Sequence, residues 1–404
     1  MLAPSIICRQ FAGQREKKAE KPRACRPPFR LVALRFCAGA WWSAAWRRAS
    51  ATGVSMFSGG ADLAVPMMKT LMTHSTAAVW WLLAAHPPND LRRSSAVMKA
   101  PEKAPSASRA RELVGILNER GLGISRVHVL VSSANGRRMS DGLVCHVASR
   151  ALPAGSICRV GDTLYVVSPE LCFLQMASSL SLANLVRLGF ALCGIHALSE
   201  ESETGTVVRE PLTTVERLAS FIDEARFAGL PNTTKAARAL AFVRDRSASP
   251  RETDLALQLG LPLRYGGFGC GMPIMNHRIV VPEELIGVIH QSYFESDLFF
   301  PDANVGLEYQ STACHADAQA IGRDAIRAAN LDILGVTVKM VTDAQYKSLA
   351  ELEKIAALIE RDAGKRPSLQ DRKRDEGQYA RELERRARLH GELSESLIEI
   401  LRGM

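Results

Sequence analysis

The stretch 293–310, YFESDLFFPDANVGLEYQ, places an acid inside each of two apolar runs, where burial should forbid one. Asp297 interrupts Tyr293–Phe300 and Glu308 interrupts Val305–Tyr309. Between them, Pro301-Asp302-Ala303-Asn304 reads as a tight turn, so the runs are expected to pair as an antiparallel hairpin. A buried carboxylate is costly unless it is paired or binds a metal. Two on adjacent strands can converge at one edge of a sheet and suit a hard divalent cation such as Mg²⁺ or Mn²⁺.

The charge of the chain separates into two parts. Residues 1–60 hold eleven Lys/Arg and two acids, which accounts for the whole net charge of +9; the other residues carry 40 of each sign. The basic character therefore belongs to the leader and says little about nucleic-acid binding by the rest. Residues 1–55 are expected to be a disordered tail or a mis-assigned start, and their resemblance to a signal peptide is faint because the apolar stretch is impure. No run reaches the roughly 20 apolar residues of a membrane span. The nine cysteines are scattered, odd in number and form no C-x-x-C pair, which reads as reduced thiols in a cytoplasmic protein.

Along the chain, 64–85 reads as a helix ended by His86-Pro87-Pro88, and 99–108 as a linker, so that 56–108 is helix and linker. Ser108 is expected to cap a helix over 109–120. Strands follow at Val127–Val131 and Leu143–Val147, then a hairpin around Gly161-Asp162, then a helix of about fifteen residues opened by Ser168-Pro169-Glu170. Residues 201–248 read as a helical connector, with a capping box at Thr213–Glu216 and a helix opened by Thr233 or Thr234. Ser249-Pro250-Arg251-Glu252 opens a further helix. The glycine-rich run 266–271 precedes no helix, which excludes a dinucleotide or P-loop reading. A strand at 275–281, the acid-bearing pair, a helix over 315–330 with Ala318, Ile321, Ala325 and Ala328 inward, a strand at 333–341 and a helix over 346–361 complete the segment 249–361. Residues 362–404 are read as a charged helix or arm ending in a short apolar helix.

A helix, three strands, a helix and a strand, with acids on the first helix and on the second and third strands, resembles the restriction-endonuclease-like nuclease core. Closer still, it resembles the very-short-patch-repair-like domains fused to abortive-infection (AbiEi-like) proteins. Their Glu-x-Asp-Gly-x-x-His pattern is met by Glu308-Tyr309-Gln310-Ser311 with His315 displaced, followed by Asp324, Arg327 and Val336-Thr337-Val338-Lys339. Upstream, 109–200 resembles the AbiEi-type N-terminal part, a small winged-helix-like region. The fold class implied is α/β (α+β), with that region followed by a mixed-sheet nuclease-like domain at 249–361.

The resemblance implies phosphodiester hydrolysis with Asp297 and Glu308 as metal ligands, Glu252 assisting, and Gln310 or Lys339 orienting water or offsetting charge. His315 and Arg327 complete the catalytic set. Gln310 stands where the wider superfamily has Lys; Gln orients water but brings no charge. Glu252 is equally a capping-box residue, and His315 equally a helix start. Segment 249–349 has seven basic and twelve acidic residues, net −5, whereas 109–150 has seven arginines and three acids, net +4. Nucleic acid, DNA foremost, is therefore expected to dock through Arg126, Arg137 and Arg138. A defence protein with a cognate toxin or antitoxin is one implication; the alternative is a repressor or antitoxin whose nuclease fold has lost catalysis. A nucleotidyltransferase reading fails for want of a Gly-Ser followed by paired aspartates.

Overall fold

β1 (Thr70–Met72) is three residues long, and all three are buried. In this computed structural model, which describes residues 70–85, 98–310, 318–364 and 376–404, β1 is the middle strand of a five-stranded sheet. It pairs parallel with β5 and antiparallel with β2. The helix expected over 64–85 is thus corrected: among its described residues, 70–72 are strand and only α1 (His74–Leu83) is helix. Two neighbouring strands supply backbone partners that outweigh local helical preference. Trp81 of α1 donates its indole N–H to the Val167 carbonyl at 2.9 Å, which ties the helix to the sheet.

α2 (Ala107–Asn118) is capped by Ser106, which accepts from the Arg109 N–H, and not by Ser108. β2 (Val127–Val131) and β3 (Leu143–Val147) run parallel. β4 (Ile157–Arg159) and β5 (Leu164–Val167) form the expected hairpin. The sheet order is β3-β2-β1-β5-β4. Residues expected to be winged-helix-like therefore share a mixed sheet whose middle strand lies before position 108.

α3 (Pro169–Met176) starts as read, with Ser168 capping and Pro at the first turn, but stops after eight residues. α4 (Leu182–Cys193) is capped by Ser181 and buried along its length. β6 (His196–Leu198) and β7 (Thr206–Val208) make a separate hairpin. α5 (Val215–Phe227) is capped by Thr214, which accepts from the Arg217 N–H; Thr213 instead donates to Glu170 at 2.6 Å, so the expected box from Thr213 to Glu216 gives way to a simple cap one residue later. α6 (Thr233–Leu240) starts after Asn232 at φ 69°.

α7 (Pro250–Gly260) is buried over nine of its eleven residues. β8 (Ile274–Val280), α8 (Glu283–Ile289), β9 (Tyr293–Phe300), β10 (Val305–Gln310), α9 (Ala318–Ile333) and β11 (Thr337–Thr342) follow. They build a four-stranded sheet, order β11-β10-β9-β8. β8, β9 and β10 are antiparallel, and β10 and β11 parallel. α8 was not expected; Pro282 opens it and His290 at φ 56° ends it. Ala325 and Ala328 of α9 face outward, contrary to expectation, and Leu331 is its buried apolar residue.

α10 (Asp343–Tyr346) has its own capping box, Thr342 with Gln345, so the helix expected from Tyr346 is α11 (Leu349–Asp362). α12 (Glu376–Ser394), whose charges predict a solvated helix or arm, docks instead. Leu389 and Leu393 are buried, and the Arg386 guanidinium lies 4.4 Å from the Phe268 ring centre. α13 (Leu397–Arg402) closes the chain. The described residues form one compact unit. Its main apolar core runs from the first sheet into the second, and a smaller cluster of Ile279, Ile289, Phe294, Phe299 and Leu331 lies beside the four-stranded sheet. Among the described residues no helix is long and apolar enough to cross a membrane.

Candidate functional site

β9 and β10 are interior strands, which corrects the expected convergence at a sheet edge, and both ladders of β9 lapse at Asp297. On the β10 side, pairing runs from Phe300↔Val305 to Leu298↔Leu307 and stops. On the β8 side, Met275↔Leu298 and His277↔Ser296 pair, while Asn276 and Asp297 between them do not. Asn276 has φ 45°, the left-handed region, which Asn tolerates better than most residues. Met275 and Leu298 join the main core, whereas Ile279, Phe294 and Phe299 join the smaller cluster.

The Asp297 carboxylate takes over where the backbone stops. Its Oδ2 accepts the Tyr309 N–H at 2.9 Å. Gly306 allows the close approach here, since a Cβ would come within 2.7 Å of Ser296 Oγ. That hydroxyl donates to the Leu298 carbonyl at 3.1 Å.

Glu252 approaches from the first turn of α7. Its backbone N–H goes to Ser249 Oγ at 3.2 Å, the Ser249 hydroxyl donates to Oε1 at 2.9 Å, and the Ala248 N–H donates to Oε2 at 3.0 Å. It therefore caps the helix, as one reading allowed, and also faces the sheet. Asn276 Nδ2 donates to Glu252 Oε2 at 3.0 Å and to the Arg246 carbonyl at 2.9 Å. Burial, reinforced by the negative charge of Asp297, pushes the Glu252 carboxyl up to about 7 against the pull of its three donors. Asp297 is raised by burial; the Tyr309 N–H and Arg327 oppose the shift, and Glu308 adds to it. Asp297 is thus in electrostatic contact with both other acids.

Glu308 is half-buried and ion-paired with Arg327 of α9. Arg327 also donates to the Glu295 carbonyl and lies 5.5 Å from the Phe294 ring centre. Gln310 ends β10 on the same side of the pleat as Glu308 and is half-buried. Lys339 is level with Leu307, whereas Glu308 is level with Met340. Regular alternation then puts Lys339, an exposed residue, on the side of β11 away from the Glu308 carboxylate, so it is not brought to the acids. His315 lies outside the described residues. Arg126, Arg137 and Arg138 are exposed and belong to the five-stranded sheet and its loops, and Arg126 Nη2 reaches the Met404 carbonyl at 3.4 Å.

Asn276 and the Tyr309 backbone had no signal in the sequence. Nor did a second gathering, His74, His128 and His146, on α1, β2 and β3. His74 and His146 stack with ring centres 3.4 Å apart, and His146 Nε2 lies 3.1 Å from His128 Nδ1. Burial lowers His74 to about 2 and His128 and His146 to about 4; their mutual repulsion and Arg137 beside His146 add to this. All three are neutral at pH 7.

Among the described residues no group of three or more His, Cys, Asp and Glu is arranged to hold an ion. The acids do match the chemistry of a hard cation, since Asp297 and Glu308 each have one carboxylate oxygen engaged by a protein donor and one remaining. No family model, curated protein or solved structure matches this chain.

Proposed function

We propose that Glu252, Asp297 and Glu308 form the centre of a divalent-cation-dependent phosphodiester hydrolase acting on nucleic acid, in the manner of the AbiEi-like nucleases. One observation carries the reading: an acid on an interior strand, where both ladders lapse, is in electrostatic contact with two further acids. The order across 250–342, helix, strand, a short helix, two strands, helix and strand, with β8, β9 and β10 antiparallel and β11 parallel, supports it in part: it is the order the resemblance implies apart from α8, inserted between the first two strands.

Asp297 and Glu308 would hold Mg²⁺ or Mn²⁺. Such an ion supplies Lewis-acid polarisation of the scissile phosphate and lowers the pKa of water. Glu252, near neutrality in its titration, accepts a proton from water at the site. Gln310 orients that water by hydrogen bonding. Arg327 neutralises Glu308 while no cation is bound, and its charge can then turn to the phosphate oxygens. Arg126, Arg137 and Arg138 would hold the nucleic-acid backbone from the other sheet, and a cytoplasmic defence role with a cognate partner fits this chemistry.

Single-stranded, duplex and mismatched DNA and RNA, each with Mg²⁺ or Mn²⁺, test the proposal. The wild type is expected to cut at least one of them and Asp297→Ala none. Equal cutting by that variant, or an inert wild type, defeats it. A second reading, a silent nucleic-acid-binding repressor or antitoxin, draws on Gln310 in the Lys place and Lys339 on the far face. It predicts binding to nucleic acid with no cleavage under any metal.

A further inference from the structure

α9 presents hydrocarbon on the side where a surface helix is ordinarily polar. Leu331 is buried in the small cluster on the four-stranded sheet. On the opposite side of the helix, Gly322, Ile326, Ala329 and Ile333 follow one another at intervals of four, three and four residues, and all four are exposed. At about 3.6 residues per turn this spacing makes one continuous stripe, the a/d pattern of a helix that packs against another helix. Ile326 is 65% and Ile333 53% exposed. A Cβ added at Gly322 would meet no atom within 4 Å, so that end of the stripe is open. α8 belongs to the same layer: its Ile289 enters the same cluster as Leu331, so both helices cover one face of the sheet. Ile286 and Val288 of α8 are exposed as well and widen the apolar surface. Single exposed aliphatics are ordinary; four β-branched ones in one layer, two of them in heptad register, are not.

The stripe is complementary to itself. In the heptad register the two isoleucines take the a positions and the two small residues the d positions. In an antiparallel helix pair each a position faces a d position. A second α9 related by a two-fold axis therefore sets Ile326 against the partner's Ala329 and Ile333 against the partner's Gly322. Each large side chain fills the space over a small one, and the axis repeats both contacts. A parallel pair would instead crowd isoleucine on isoleucine and leave a gap at the small residues. In the antiparallel register the two copies of the exposed Asp332 stand about 13 Å apart along the helix axis, so these like charges do not meet. α9 has 16 residues, and one helix pair of that length falls short of the roughly 1,200 Å² that stable interfaces bury. The margin from α8 adds area, and association belongs in the micromolar range.

We propose that the outer face of α9 is the contact surface for a second copy of this chain, forming an antiparallel two-fold helix pair with α8 at its margin. This dimer does not rest on the hydrolase reading: Arg327, which holds Glu308, points from the inner side of the same helix.

Sedimentation velocity on the full chain, from low micromolar to several hundred micromolar, reads the oligomeric state. The wild type is expected to pass from one chain to two and no further, because a two-fold contact closes on itself. Ile326→Glu should stay a single chain with an unchanged melting temperature, since the side chain it replaces is exposed. Ala329→Leu is the sharper variant. It adds hydrocarbon, so a merely sticky surface would associate more strongly, whereas large-on-small packing is overfilled and association weakens about tenfold. A wild type that stays single at every concentration overturns the proposal. So does an Ile326→Glu chain that pairs like the wild type, or an Ala329→Leu chain that pairs as well or better.

Discussion

Three acids gather where a helix meets the four-stranded sheet and three histidines where a helix meets the five-stranded sheet, and the two groups handle burial in opposite ways. The imidazoles shed their charge: desolvation and mutual repulsion favour the neutral ring, and their contacts are stacking, the His128–His146 ring pair, Thr73 Oγ1 3.1 Å from His74 Nδ1 and the Met404 backbone beside His128. The acids do not all shed theirs. Glu308 is held by Arg327, Asp297 by a backbone N–H, and Glu252 sits close to half-titrated at neutral pH. A histidine can discharge at pH 7 by losing a proton, whereas a carboxylate must gain one or find a counter-charge. The first group is a packed, silent cluster; the second keeps a need for positive charge, and a cation can meet that need.

The largest expected break in this symmetry is acid lability. The folded-state values of the three histidines lie below the ordinary 6.5. The unfolded chain therefore takes up protons first as pH falls. Their contribution is intact above about pH 6.5 and is lost progressively toward pH 4, on the order of several kcal/mol in all. Urea midpoints at pH 7, 6 and 5 should drop in step, and His146→Gln should flatten the slope. An unchanged slope would mean the cluster is hydrated and charged.

Glu252 has the opposite sign. Its folded value, about 7, lies above the ordinary 4.5, so its contribution is present below pH 4.5 and lost as pH rises through 7. Glu252→Gln should accordingly stabilise at pH 8 by on the order of 1 kcal/mol and change little at pH 5. Thermal melts at the two pH values check this; equal shifts at both would separate the effect from titration.

Arg327→Ala removes the counter-ion from a half-buried carboxylate. It should cost about 1 kcal/mol without metal, discounted for partial exposure, and less once millimolar Mg²⁺ is present. Melts with and without the ion read the difference; an identical cost in both would deny that Arg327 and the cation serve the same acid. The smallest effect belongs to Asn276→Gly, which keeps the left-handed backbone and deletes one donor to Glu252. The Glu252 midpoint should rise slightly, as carboxyl NMR would show.

The acid-bearing hairpin was legible because an acid inside an apolar run conflicts with its surroundings, and the Ser-Pro helix starts at Ser168 and Ser249 because capping is local. β1 was not, since three residues carry no periodic signal and its partners lie more than fifty positions away. The face taken by Lys339 was not legible for a related reason: strand register, which sets that face, is fixed by pairing with β10 and cannot be read along β11 alone. His74, His128 and His146 share no spacing, so only the sheet unites them. The docking of α12 was masked by its many charges, although Leu389 and Leu393 are one turn apart on a single side.

Mn²⁺ titration of the isotope-labelled chain addresses the central assertion most directly, because the paramagnetic ion broadens resonances near where it binds. Selective loss of the amide signals of Glu252, Asp297 and Glu308 at submillimolar Mn²⁺, absent in Asp297→Asn, is the predicted result. Broadening that begins elsewhere, or that persists unchanged in Asp297→Asn, would contradict a cation site at Asp297 and Glu308 beside Glu252.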